Sequence, residues 1–206
     1  MKQSTLVFVF ASTCVPPLVG IAFALACCSP RAMQPPTVGI DTDIPDYDRS
    51  TWGRWKDLDK DCQDTRQEVL LAESAEPVIW DERGCRVLSG VWDCPYTGER
   101  FTDPRLLDVD HVVPLREAHF SGGHSWPKDQ KSLYFNSLDN PDHLRAVSRS
   151  ANRSKGSRQP HEWLPTNAAF RCQYLRDWVT IKLAWSLEQD CDEAQKLNAL
   201  LVEHCR

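Results

Sequence analysis

Two stretches decide the reading of this chain: LDVDHVVPL, from Leu107 to Leu115, and DHLRAVSRSANRSKG, from Asp142 to Gly156. In the first, an Asp directly precedes a His inside a β-type run that ends at Pro114. Neighbouring residues of a strand point to opposite faces, so Asp110 and His111 can share one function only where the strand bends or ends. A strand terminus before a loop meets that condition. In the second stretch Leu144, Ala146 and Val147 make a short apolar strand, which leads through Ser150, Ala151 and Asn152 into a basic turn holding Arg153 and Lys155. Leu106 to Val113 and Leu144 to Ser148 therefore predict a hairpin-like pair. Gly122, Gly123, Pro127 and Pro141 between them predict mostly loop.

Outward from this pair, 206 residues suit one cored domain with at most a tail. A hydrophobic content of 41%, a charged content of 26% and eight Trp describe a chain that can bury a core, and exclude a polytopic membrane protein. The formal net charge of −5 argues against binding nucleic acid through global charge, so such binding needs a local basic patch. Nine Cys point to export with disulfides or to a metal site.

Met1 and Lys2 precede an apolar run to Ser29, which has the pattern of a secretory signal. Pro16 and Pro17 split that run and disfavour the alternative of a membrane-spanning helix. The ending Ala24-Leu25-Ala26-Cys27-Cys28 is similar to a bacterial lipobox, with Cys27 the residue for lipidation; simple cleavage and release is the alternative. The expected order is thus a signal segment at 1–28, a Pro-containing tether at 29–50 and a folded domain at 51–206. Within that domain a helix is expected from Thr65 to about Ser74, and a hairpin between Val78 and Val91. Phe170, Tyr174, Trp178, Ile181 and Trp185 recur at helical spacing after a cap at Thr166 or Asn167, and read as core packing. A last helix runs from about Asp192 to His204.

Asp110-His111, His143 and Asn152 resemble the motif of the HNH nucleases of ββα-metal type. The resemblance is to the exported branch related to the nuclease half of GmrSD restriction enzymes, and to the HNH domain of RNA-guided CRISPR effectors. DCQDTRQEVL (61–70), GCRVLSGVW with PYTGERFTDP (84–104), and EWLP with CQYLRDW (162–178) extend it over roughly Trp52 to Cys205. It implies an α+β fold: a ββα-metal core with a flanking hairpin and C-terminal helices, stapled by disulfides. It further implies Asp110 and Asn152 as metal ligands, His111 as general base and His143 as the residue that orients the base. The triplet here reads His111, His143, Asn152, so the central and last positions depart from the HNH letters.

The chemistry suits these residue types. A His, with an ordinary pKa of ~6.5, can take a proton from water near neutral pH. A single Mg²⁺ or Mn²⁺, held by one or two protein oxygens, would offset charge on the phosphate. From Leu144 to Pro160 the charged residues are Arg145, Arg149, Arg153, Lys155 and Arg158, with no acid among them. Beside Asn152 they form a candidate patch for phosphate contacts, which Arg66 could join. The expected activity is hydrolysis of DNA with little sequence preference by an exported monomer, with RNA as an open second substrate. A surface lipoprotein that keeps the scaffold without catalysis is the alternative, its membrane contact made only through an N-terminal lipid.

Cys62, Cys85, Cys94, Cys172, Cys191 and Cys205 allow fifteen connectivities. The family resemblance suggests Cys62 with Cys85 and Cys172 with Cys205, which leaves Cys94 with Cys191. A zinc site joining His119 and His124 to Cys85 and Cys94 would lack the close Cys pairs of structural zinc centres.

Overall fold

The computed structural model describes residues 44–205 and the backbone of Thr37–Val38. The expected signal segment, Cys27 and most of the tether lie outside these residues. The elements are β1 (Thr37–Val38), α1 (Thr65–Ala72), β2 (Ile79–Trp80), β3 (Val87–Ser89), β4 (Trp92–Asp93), β5 (Arg100–Phe101), β6 (Leu107–His111), α2 (Leu115–Phe120), α3 (Lys128–Phe135), β7 (Leu144–Ser148), α4 (Arg149–Lys155), α5 (Arg171–Ala184), β8 (Gln189–Asp190) and α6 (Cys191–His204). Among the described residues the strands pair two by two, as β1-β8, β2-β3, β4-β5 and β6-β7.

The predicted pair forms: β6 and β7 run antiparallel, with Leu107 opposite Ser148 and His111 opposite Leu144. Alternation sorts the side chains of β6. Leu107 and Val109, with Leu144 and Ala146 of β7, pack against Val69 and Leu70 of α1. The other face meets α4, which follows β7 without a loop because Ser148 ends the strand and caps the helix, its Oγ accepting from Ala151 N at 3.2 Å. The helix stops at Gly156, whose φ of +58° is open to glycine at little cost. The strand pair is therefore held between α1 and α4.

Three expectations are corrected, and one strand pair is new. The stretch expected as loop after Pro114 carries α2 and α3; Pro114 and Pro127 sit at their N-caps, where a missing N–H costs nothing. The β4-β5 pair was not anticipated. The cap expected at Thr166 or Asn167 is displaced, because both side chains bond strand-flanking carbonyls instead: Thr166 Oγ1 donates to Tyr96 O and Asn167 Nδ2 to Pro95 O. Helix α5 begins after a 3₁₀ turn, with Phe170 at its N-cap. Finally, the end of the expected tether is docked: Tyr47 packs edge-on against His119, whose Nε2 donates to Pro45 O at 2.7 Å.

Tyr174, Trp178 and Ile181 are buried in the main core with Tyr96, Tyr134 and Phe135, so the aromatic stripe packs the interior. Disulfides join Cys62 to Cys85 and Cys172 to Cys205. The third pairing does not form. Cys94 is buried against β7, where its Sγ accepts from Ser148 N at 3.2 Å, while Cys191 stands exposed at the start of α6.

Candidate functional site

Because β6 alternates, Asp108 and Asp110 share the face toward α4, and Asn152 and Lys155, three apart on the helix, face them. Two pairs result. Asn152 Nδ2 donates to Asp108 Oδ2 at 3.2 Å, with Arg149 Nε 3.5 Å from the other carboxylate oxygen. Lys155 Nζ lies 2.8 Å from Asp110 Oδ2 and also donates to His111 O at 2.9 Å. Asp110 Oδ2 accepts from the Tyr96 hydroxyl at 2.7 Å as well. Burial pushes the Asp110 carboxyl up and the Lys155 ammonium down, and each opposes the other's shift by its charge.

His111 occupies the opposite face at the strand end. Its ring stacks on Trp55 with centroids 5.5 Å apart and planes 5° from parallel. Its Nε2 lies 3.0 Å from Phe135 O. A carbonyl can only accept, so Nε2 carries the proton and Nδ1 keeps the free lone pair. Burial, then the neighbouring His143, holds the imidazole well below its usual range, so the ring is neutral at physiological pH.

His143 is wholly buried, and its Nε2 donates to Tyr134 O at 2.8 Å. Burial pushes it down to about 4. It meets His111 only ring edge to ring face, at 5.8 Å. The expected orienting contact therefore comes from elsewhere, from the Phe135 carbonyl.

The expected cationic patch is divided by burial. Arg153, in the last turn of α4, and Arg158, on the segment after it, are exposed. Lys155 is corrected: at 0% exposure, its ammonium serves Asp110 and cannot reach a phosphate. Arg145 is corrected too, because it is enclosed by the carboxylates of Glu73, Asp142 and Asp177. Arg66 is held by two carbonyls, its Nη2 donating to Pro104 O at 2.9 Å and Leu107 O at 3.0 Å.

Asp110 is a poor fit to a cation as it stands, since an ammonium and a hydroxyl already occupy its carboxylate. Asp108 and Asn152 fit better: they are hard oxygen donors, partly exposed, and their side chains touch. Asp108 was missed by the sequence reading. The period-two repeat of acids in Leu107-Asp108-Val109-Asp110 was its signal. No zinc centre assembles at Cys85, Cys94, His119 and His124, because Cys85 is bridged, Cys94 lies in the core and His119 is tied to Pro45. Among the described residues three acidic side chains do converge at Asp57, Asp59 and Asp61, with oxygens within 4.8 Å, in the exposed loop before α1.

A strand pair crossed by a helix thus carries a neutral imidazole at the strand end and a carboxylate–amide pair beneath the helix. The chain belongs to the family of GmrSD restriction endonuclease C-terminal domains, whose family model matches residues 64–200. It is also similar to an uncharacterized secreted protein of Arthroderma benhamiae, 33% identical over 155 residues that cover 75% of this chain and 74% of the relative. No solved structure matches.

Proposed function

We propose that this chain is an exported, divalent-metal-dependent endonuclease of HNH type that hydrolyses DNA phosphodiesters with little sequence preference. The ββα-metal core would be β6, β7 and α4, within a nuclease domain at 51–206. The observation that carries the reading is the state of His111: a neutral imidazole whose protonated nitrogen is fixed by Phe135 O, leaving Nδ1 free to accept a proton. Family membership and the Asp108–Asn152 pair, on the α4 face of the same strand, support it. Two disulfides fit an oxidising compartment, and the similar fungal protein is described as secreted, so export is the favoured destination. Lipidation at Cys27 stays part of the proposal as the alternative to release.

In this reading His111 Nδ1 takes the proton of the attacking water, and the Phe135 carbonyl steadies the imidazolium that results. Asp108 and Asn152 would hold Mg²⁺ or Mn²⁺, which supplies positive charge against the scissile phosphate and the leaving oxygen. Asp110 could join them only by releasing Lys155. Arg153 and Arg158 would add phosphate contacts that carry no base preference.

The test is plasmid nicking by the purified protein with Mg²⁺ or Mn²⁺. His111→Ala should reduce the rate by ~100-fold or more with the fold retained. Asn152→Ala should raise the metal concentration needed for half-maximal rate. Unchanged nicking by the His111 variant would remove the base from the mechanism, and an inert wild-type protein would sink the nuclease reading itself.

A further inference from the structure

Away from the basic turn, a cleft of about 580 Å³ opens between α1, β3 and the start of α4. Arg66, Arg86, Arg105 and Arg149 line it, with Asp64 as the acidic member and Leu88 as an apolar one. Arg149 belongs to the basic run and Arg66 was expected to join it, whereas Arg86 and Arg105 come from separate places in the chain that no charge run announces.

How they are held matters more than their number. Arg66 donates to Pro104 O and Leu107 O, and Arg149 donates to Arg105 O. Carbonyls fix a guanidinium in place without cancelling its charge. Of the flanking acids, Asp103 answers Arg105 at 2.7 Å and Asp108 stands 3.5 Å from Arg149. Arg86 is exposed on the strand edge. Burial lowers the Arg66 pKa; the charges of Asp64 and Asp108 oppose that shift, and those of Arg149 and Arg86 add to it by less. An anion placed among them would meet guanidinium donors that carbonyls already hold in position. The exposed Leu88, 52% accessible, adds an apolar wall that a sugar or base could cover and an inorganic ion could not.

We infer that this arginine cleft is a subsite for the nucleic-acid strand, holding a backbone phosphate next to the one presented to Asp108 and Asn152. The inference rests on the nuclease reading for the identity of its occupant. Arg149 joins the two places, since it lines the cleft and also approaches Asp108. The strand's path therefore runs over the α1–β3 side, and Arg86 and Arg105 become phosphate contacts that the charge run at Arg145 to Arg158 does not suggest.

The experiment measures binding of the full protein to a fluorescent oligonucleotide in EDTA, so that no turnover is needed, across a salt series. The Arg86→Ala/Arg105→Ala double variant touches neither the base nor the cation pair. It should bind at least ~10-fold more weakly at 0.1 M salt, with the slope of log K against log salt reduced by roughly 1.4 to 1.8 for two lost phosphate contacts. Wild-type affinity and slope in that variant would overturn the subsite. So would a cleft that takes up inorganic phosphate, by titration of the same arginine variant and wild type, while oligonucleotide binding is unaffected by the substitutions. A protein that binds through the cleft but never cuts with metal would keep this inference and lose the nuclease reading. One that cuts normally without Arg86 and Arg105 would do the reverse.

Discussion

Lys155 and Lys182 are both wholly buried, and the two regions that contain them solve the burial of a charge differently. Lys155 lies between β6 and α4 with one carboxylate, Asp110, and one carbonyl, His111 O. Lys182 of α5 lies between two carboxylates, Glu117 of α2 at 2.8 Å and Glu193 of α6 at 2.6 Å, and also donates to Glu188 O. Glu193 is bonded in turn by Trp178 Nε1 at 2.9 Å. The helical region thus carries one more acid than base in its interior, and burial pushes Glu193 up to about 7. The strand region is charge-balanced within the pair, and its next carboxylate along the strand, Asp108, is left partly exposed. One lysine ties three helices together. The other neutralises Asp110 and so leaves Asp108 and Asn152 as the accessible polar pair.

The sharpest way to break this comparison is to remove each ammonium. Lys182→Met leaves two acids without their cation and should cost ~3 to 5 kcal/mol of stability in a denaturant titration, with cleavage per folded molecule unchanged. Lys155→Met should cost at the lower end of that range, and should also change cleavage, because it frees Asp110 beside the site. Equal effects on activity would abolish the distinction between a fastening lysine and one that shapes the site. A milder probe removes both members of the strand pair: Lys155→Met/Asp110→Asn leaves no unpaired buried charge and should recover most of the single variant's lost stability.

Dependence on pH separates the regions by sign. Glu193 holds its proton in the folded state up to about 7, whereas its ordinary value is 4.5, so its contribution is full below 4.5 and is lost as pH rises to 7. His143 is held neutral down to about 4 against an ordinary 6.5, so its contribution is full above 6.5 and is lost as pH falls toward 4. The windows overlap, so the denaturation midpoint should be followed against pH in two variants. Glu193→Gln should flatten the alkaline decline and His143→Gln the acid one; the same slope change in both would show that neither group is set apart by its region. The smallest effect is expected at Arg153, exposed in the last turn of α4, where Ala should alter stability by no more than ~0.5 kcal/mol.

The sequence made β6 and β7 legible because apolar alternation and the stop at Pro114 are local signals. It made Asp110, His111, His143 and Asn152 stand out as a set, yet it could not say which of them touch. The link from His111 to Phe135 O is made by a main-chain carbonyl 24 residues away, and any residue type could supply it. Lys155 looked like one more cation on a solvated turn, because a charge run does not reveal which member points inward from a helix. Helices α2 and α3 were hidden by Gly and Pro residues that lie at their boundaries rather than within them. The arginine cleft was half legible: Arg66 and Arg149 are among the expected phosphate contacts, but Arg86 and Arg105 stand apart from any charge run and meet them only after folding.

The bridge between Cys62 and Cys85 stitches the loop ahead of α1 to the residue next to Arg86. In a newly made chain, before oxidation, that stitch is absent, and the edge carrying Arg86 is held by the short β2-β3 pairing and by Val87, which packs on α1 and donates to Gln67 Oε1. Disulfide formation then adds a covalent fastening to one wall of the cleft. For a chain that leaves the cell as proposed, that wall is completed in the compartment where thiols are oxidised, after separation from the producing cell's own nucleic acid.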